Sequence, residues 1–600
     1  MTSALADLEG AVDAFLGVEQ SLTGCRWQAR GTDGRTALAL AQRHGLPEVV
    51  GRVLAARGID VAAAEGFLNP TLRDHLPDPS ALRDMDQAAE RLAQAVMAGE
   101  QVAVFGDYDV DGATSTALLM RFLGAVGSRC RPYIPDRQAE GYGPNIAALR
   151  RLQQEGASLV VTVDCGIAAF DTLAEAGEAG LDAIVVDHHE AEPRLPPAQA
   201  VVNPNRLDED TGLGHMAAVG VAFLLVVATN RALRAAGWYE GDRREPDLRQ
   251  WLDVVALGTV CDVVPLTGVN RALVGQGLKV MARRNNAGLR ALADVGGVRQ
   301  VPDAYHLGFV LGPRVNAGGR VGEAELGTRL LATDDGNEAA EIAKRLDGYN
   351  KERQEIEAAM LQEAMEMVEG GASSGPLIFA AGEGWHPGVI GIVAGRLKER
   401  YNRPACVVSI GSDGLGKGSG RSIAGLDLGA AVLAARQEGL LENGGGHAMA
   451  AGFTVAADKL DAFRDFVAAR LADQVEGETV VPRLTLDGAV DPRAVTADLV
   501  RALEHLAPFG AGNAQPRFAL PEVTVQGATI VGMGHVKCTL VGPDGGRVKA
   551  MAFRSADSSL GTALLASRGR RFHVAGTLRP DNYQGGDSVQ VIIEDVAYAE

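Results

Sequence analysis

Val102-Ala103-Val104-Phe105-Gly106-Asp107-Tyr108-Asp109-Val110-Asp111-Gly112 is the stretch on which the reading of this chain turns. An apolar run ends in three alternating aspartates and a glycine, and a helix-favouring segment follows over residues 113–120. Apolar run, turn and helix is the pattern of a buried parallel strand feeding a crossover. In open α/β sheets, ligands sit at the carboxyl ends of such strands. Three carboxylates crowded at one strand end repel one another unless something positive neutralises them, and a divalent metal is the economical candidate. A solvated acidic turn is the plain alternative.

The same arrangement recurs outward from this stretch. Short apolar runs at 101–106, 159–163 and 183–186 are separated by helical stretches such as 145–154 and 170–179. Repeated strand and helix predict a parallel sheet with helices on both faces. The three runs end at Asp107, Asp164 and Asp187. Aspartate is a poor strand residue, so sheet stability alone does not explain its place at all three ends. His188 and His189 follow Asp187, and a further apolar run meets Asp262 just before Pro265. Oxygen-rich ligands with an imidazole suit Mn²⁺ or Mg²⁺ better than structural zinc. A carboxylate lying between two such ions, about 3.5–4 Å apart, can bridge them. For His188 alone, a core histidine satisfied by its surroundings is the alternative.

Asp109-Val110-Asp111-Gly112, Val163-Asp164-Cys165-Gly166, Asp187-His188-His189 and Cys261-Asp262 resemble, in order and spacing, the four motifs of the DHH phosphoesterase superfamily. Tyr133-Ile134-Pro135-Asp136-Arg137 with Glu140-Gly141-Tyr142-Gly143 narrows the resemblance to the RecJ single-stranded-DNA exonucleases. The resemblance implies that Asp109, Asp111, Asp164, His188 and Asp262 ligate two ions, with Asp164 as the bridge. Asp187 joins Asp164 and His189 in the implied catalytic set, with His189 on the scissile phosphate. Some relatives carry a histidine where Phe105 stands, and Asp107 would take its place as a ligand. Arg137 would hold a terminal phosphate.

Residues 311–320 read as a turn-rich segment in which Arg314, Asn316 and Arg320 face the substrate path by the same resemblance. A basic surface loop is the alternative. Helical periodicity over about 336–369 (Ile342, Leu346, Tyr349, Ile356, Met360) predicts a long connecting helix that Gly370-Gly371 stops. A second α/β unit follows. Its glycine-rich runs 384–391, 416–422 and 443–452 let a ligand approach the backbone, and their N–H groups, with Arg421 and His447, would make an anion site. Residues 443–452 resemble the DHHA1 substrate-binding signature, which adds Ser419, Ser422, Gly445 and Gly446 to the implied substrate contacts. Five candidate strands, 523–530, 535–541, 547–554, 571–578 and 589–596, suggest an OB barrel. Phe553, Phe572 and Tyr583 there are either core or base-stacking residues.

The fold class is therefore α/β. A parallel-sheet DHH domain (91–335) is joined by a long helix (336–370) to a DHHA1 α/β domain (371–478), and a C-terminal OB-like β-barrel (479–600) follows. A helical N-terminal segment (1–90) is expected to pack on the domain after it. The chain has 600 residues and a net charge of −19, which argues against a generally basic coat but not against a local basic groove. The six cysteines form no CxxC pair, as expected in a reducing cytosol. No basic leader precedes an apolar core, and no run of transmembrane length stands out, so a soluble, cytoplasmic protein is expected.

The implied function is a metal-dependent 5′-to-3′ exonuclease that degrades single-stranded DNA to mononucleotides in DNA repair and recombination, using two Mn²⁺ or Mg²⁺ ions. Single-strand-binding protein and a helicase are partners by resemblance, and a monomer is expected. Two other readings stay open at this level: a phosphodiesterase acting on short oligoribonucleotides or cyclic dinucleotides, and a non-catalytic replication-fork scaffold.

Overall fold

The computed structural model describes residues 13–137, 139–372, 375–474, 481–581 and 587–599. They fall into two compact units. The larger runs from His75 to 474 and takes in Gly510–Gly512; the other joins the described residues up to Asp74 to those from 481 onward.

In the larger unit, five parallel strands stand in the order Arg129–Tyr133, Gln101–Gly106, Ala157–Val163, Asp182–Val186, Ala200–Val202. Register does the essential positioning. Gly106 pairs with Val163, Val163 with Val186, and Val186 with Val202. The residues that follow, Asp107, Asp164, Asp187 and Asn203, are therefore delivered side by side to one edge. The three central strands are buried on both faces, as strands between two helical layers must be. The two outer strands have little sequence signal: one carries Arg129, Arg131 and Pro132, the other is three residues long.

Two helical elements depart from expectation. The run before Asp262 is the end of a helix, Leu252–Cys261, so Asp262 caps a helix instead of ending a strand. A short, wholly buried apolar run looks alike in helix and strand, which is why periodicity could not separate them. The segment 311–320 is also helical: Gly312–Val321 continues from a π-helical turn, Leu307–Leu311. Its glycines serve close packing. A Cβ on Gly319 would lie 2.5 Å from the Tyr108 carbonyl oxygen. The helix Ala218–Ala235 is long and apolar enough to cross a membrane by length and composition, yet most of it is buried in this core.

The helix Gly336–Met367 passes into a π-helical turn, Val368–Ala372, so Gly370-Gly371 do not stop it. Ala339, Ile342, Ala343 and Leu346 join the core packed on the parallel-sheet domain, while Met360 and Ala364 join that of the following domain. Between them the buried positions are polar, Asn350 and Arg353. The second sheet runs Asn443–His447, Ala450–Ala456, Leu415–Arg421, Ala405–Ile410, Ile378–Glu383, antiparallel except for the last pair. Two of the three glycine-rich runs are thus strands, not loops.

In the other unit, Arg517–Val531, His535–Val541, Arg547–Ala552, Arg571–Pro580 and Val589–Tyr598 close a five-stranded barrel. Residues 13–74 of the N-terminal segment belong here, contrary to the expectation that the segment packs on the domain following it, while those from His75 on lie in the larger unit. Arg26–Ala29 is a strand, paired in parallel with Arg483–Leu486. Leu40, Val50, Val53 and Leu54 share one core with Phe518, Val536 and Phe572 of the barrel. Trp27 is fully buried and its Nε1 donates to Asp595 at 2.8 Å. An amphipathic helix does not say which apolar surface it covers.

Candidate metal centre and phosphate cleft

Asp107 lies just past the strand Gln101–Gly106, and Asp109 caps the helix Val110–Ala125 by accepting from the N–H groups of Asp111 (2.9 Å) and Gly112 (3.1 Å). The turn is tight enough that a Cβ on Gly112 would lie 2.4 Å from the Asp107 carbonyl oxygen. Asp111, in the first turn of that helix, is buried and accepts from Ala218 N–H (2.6 Å) and Val219 N–H (2.9 Å), at the positive end of the helix Ala218–Ala235. Asp164 ends its strand with φ +60°, a left-handed conformation that a non-glycine residue rarely takes.

These residues meet in overlapping groups. Asp107, Asp109 and Asp164 form one; Asp111, His188 and Asp262 another; Asp164, His188 and His189 a third, each with ligand atoms within 4.8 Å of one another. Asp164 belongs to the first and third groups and His188 to the second and third, and the two meet with Asp164 Oδ1 3.3 Å from His188 Nε2. His188 Nδ1 lies 3.0 Å from the carbonyl oxygen of Met216, which can only accept, so the proton sits on Nδ1 and the Nε2 lone pair faces the carboxylates.

Burial, then the charge of Asp109, pushes Asp107 up to about 8 and Asp262 up to about 7. Burial and neighbouring carboxylates raise Asp111 and Asp164 as well. Asp107 Oδ1 and Asp262 Oδ2 are buried without a hydrogen-bond partner among the described residues. Such a crowd costs stability unless it is protonated or holds cations. The donor set of carboxylates plus one imidazole fits Mn²⁺ or Mg²⁺.

Asp187 has a different place. Its carboxylate accepts from the N–H groups of Ile167 (3.0 Å), His188 (2.8 Å) and His189 (3.2 Å), and from His189 Nδ1 at 2.7 Å. It is fully buried, so it orients His189 and does not itself face a substrate. Burial disfavours a charged His189, but the Asp187 contact outweighs it and raises the imidazole above its usual range.

Beside the carboxylates lies a group of guanidiniums. Arg137 stands 4.9 Å over the Tyr108 ring, Arg320 donates to the Gly388 carbonyl (3.0 Å), and Arg421 to Ser419 Oγ (3.0 Å) and the Gly420 carbonyl (2.8 Å). None of the three has an ion-pair partner among the described residues. Burial, then the charges of Arg137 and Arg353, lowers Arg320 to about 10, and burial with Arg137 lowers Arg421. Cations that repel one another in partly buried surroundings attract a polyanion.

Other expected contacts are engaged elsewhere. Arg314 pairs with Asp347 (3.0 Å) and donates to the Val310 carbonyl (2.6 Å), so it braces its helix. Ser422 is buried, with Oγ donating to the Leu426 carbonyl at 2.8 Å. Gly445, Gly446 and His447 lie on the edge strand, His447 exposed, and Asn316 is half-buried. Phe572 is core, Phe553 is exposed, and Tyr583 lies outside the described residues. Sequence reasoning missed Tyr142 as a site residue; its hydroxyl donates to the Asp164 carbonyl (3.1 Å) and lies 3.4 Å from His189 Nδ1. It also missed Asn203 and Met216, whose contacts with the His189 and His188 segments depend on long-range packing with no local pattern.

A parallel sheet that gathers carboxylates and an imidazole at one edge, followed by a glycine-rich α/β domain bearing arginines, defines the DHH class of phosphoesterase. The DHH family N-terminal domain matches residues 101–259, the DHHA1 domain 374–473 and the RecJ OB domain 486–595. The single-stranded-DNA-specific exonuclease RecJ of Bacillus subtilis is 34% identical over 96% of this chain and 71% of its own length. That of Escherichia coli is 36% identical over 92% and 96%. The crystal structure of RecJ from Thermus thermophilus in complex with Mn²⁺ matches with a TM-score of 0.80 and 31% identity, covering 96% of this chain and 80% of that one. The chain belongs to the RecJ family of single-stranded-DNA-specific exonucleases.

Proposed function

We infer that this chain is a metal-dependent exonuclease that hydrolyses single-stranded DNA. The observation that carries the reading is the meeting of two carboxylate-rich groups through Asp164 and His188, beside arginines that have no carboxylate partner among the described residues. Asp107, Asp109 and Asp164 would hold one ion; Asp111, His188 and Asp262, with Asp164, would hold the second. Two Mn²⁺ or Mg²⁺ ions, when bound, supply Lewis acidity to the phosphodiester and a more acidic attacking water.

The chain's own groups do the rest. His189, held through Nδ1 by Asp187, would turn its other ring nitrogen to a non-bridging oxygen of the scissile phosphate. Arg137, Arg320 and Arg421 hold flanking phosphates and set which bond reaches the carboxylates. Tyr142 fixes the peptide of Asp164 and stands beside the His189 ring. The barrel offers Lys537, Arg554 and exposed Phe553 to a strand.

Release of mononucleotides in the 5′-to-3′ direction, a role in repair and recombination, work beside single-strand-binding protein and a helicase, a monomeric state and a cytoplasmic setting belong to the same reading. They rest on family membership. The test is digestion of equal amounts of 5′-labelled and 3′-labelled single strand, duplex and RNA with Mn²⁺. Loss of the 5′ label first, from single-stranded DNA only, is expected. Equal cutting of duplex, or cutting of dinucleotides with none of long strands, would overturn it.

A further inference from the structure

The turn before the Gly312–Val321 helix carries an aromatic pair that the catalytic reading leaves unused. Tyr305 and Phe309 stack with ring centroids 5.1 Å apart and planes 25° apart, and they are 53% and 72% exposed. Val301, 70% exposed, precedes them. Exposing so much aromatic surface costs hydration free energy that an ordinary surface avoids. The turn is a π-helix, Leu307–Leu311, a form that departs from regular hydrogen bonding and recurs at functional sites.

This turn is fastened to the metal centre. The Leu307 carbonyl accepts from Cys261 Sγ (3.5 Å), the residue before Asp262, and a Cβ on Gly308 would lie 3.6 Å from Val260. It is also continuous with the arginine cleft. From Phe309 the steps to Pro313, Asn316 and Arg320 are four, three and four residues, the spacing of one helix side, and all three are partly exposed. Eleven residues of helix span about 16 Å. One continuous helical run therefore carries Arg320 of the guanidinium group at one end and the exposed aromatic pair at the other.

We propose that Tyr305 and Phe309 form a stacking platform for a nucleobase of the single strand, a few nucleotides along from the phosphate held at Arg320. The proposal rests on the nuclease reading above and adds a specific subsite to it. A base suits the platform because every base offers a π-face to an aromatic ring, and because the same strand's phosphates suit the arginines at the other end. A protein surface would match the aromatic end alone.

The experiment uses the full chain. Binding of a 5′-phosphorylated, fluorescent 20-nucleotide strand is followed by anisotropy in EDTA, and KM is measured with Mn²⁺. A series of strands each carries one abasic spacer at a different position. In the unaltered protein, one spacer position near the 5′ end should weaken binding about 5- to 30-fold. Phe309→Ala should weaken binding of the intact strand by a similar factor and abolish the penalty at that position only, and Phe309→Trp should restore both. Circular dichroism and melting curves confirm folding, which substitution of so exposed a ring should leave intact. Equal sensitivity to every spacer in both proteins would overturn the platform. So would a concentration-dependent oligomer dissolved by Phe309→Ala, which would assign the patch to a second copy. Binding that depends on Phe309 in a protein with no nuclease activity would overturn the catalytic reading and leave the platform standing; failure to bind any single strand would overturn both.

Discussion

Asp187 holds His189 by two contacts of its carboxylate, the ring Nδ1 at 2.7 Å and the His189 N–H at 3.2 Å, and the neighbouring His188 N–H by a third at 2.8 Å. A residue at a strand end, which pattern alone would place among the reacting groups, serves to aim and charge the group next to it. Asp187→Asn keeps the shape and removes the charge. The kcat is expected to fall roughly 10- to 100-fold, as it does when the partner that orients a catalytic or metal-binding histidine is lost, with Mn²⁺ still bound. Steady-state rates beside calorimetric metal titration check this; an unchanged kcat would refute it.

Asp164 belongs to one ligand group and reaches the other at His188, so Asp164→Ala removes the carboxylate that links them. At least about a 1,000-fold loss of rate is expected, together with weaker Mn²⁺ binding in the same titration. Full activity would sink the two-ion arrangement.

The metal-free protein should become less stable as pH rises. Asp107 and Asp262 are raised to about 8 and about 7 by burial and by Asp109, so the folded state binds protons that the unfolded chain has already released. For groups with raised folded values, stability falls from about pH 4, the ordinary carboxylate value, up through those folded values. Mn²⁺ replaces the protons and should raise the melting temperature most at the high end of that range, by about 2.7 kcal/mol of stabilisation at a hundredfold excess over Kd. Melting curves at pH 5 and pH 8, with EDTA or Mn²⁺, measure this; a metal-free protein more stable at pH 8 would contradict it.

Gly112 allows the acidic turn to close, since any Cβ there would overlap the Asp107 backbone at 2.4–2.6 Å. Gly112→Ala must push the Asp107 peptide aside. About 1–3 kcal/mol of stability should be lost, with a melting point several degrees lower, and activity should drop further than stability because ligands move.

Arg320 meets other guanidiniums and has no carboxylate partner among the described residues, so its removal should cost binding more than folding. Arg320→Ala should raise KM about tenfold and reduce the slope of log KM against log salt by about one, while the melting point changes little. A lost fold with unchanged salt slope would show that Arg320 is structural.

The register of the parallel sheet explains why so much was legible in the chain itself. The apolar runs at 101–106, 159–163 and 183–186 had to be buried parallel strands, and parallel strands put their carboxyl ends together, so Asp107, Asp164 and Asp187 were brought to one edge by local pattern alone. The OB barrel was legible for a similar reason, because alternation and turns are short-range.

What only the tertiary structure decided is which groups remain free to react once packing has taken its share. Asp187 and Asp107 end equivalent strands, but Asp187 spends its lone pairs on backbone N–H groups and His189, while Asp107 keeps a buried oxygen without a hydrogen bond. Arg314 and Arg320 lie on one helix, but Asp347 claims the first. Asp262 comes from a helix that no periodicity distinguishes from a strand, and the N-terminal helices found their apolar surface hundreds of residues away, in the barrel. Hydrophobic pattern acts over a few residues and is written in the sequence. Competition for hydrogen bonds and charges is settled by whichever neighbours the folded chain brings within about 3 Å, and those neighbours are far away in sequence.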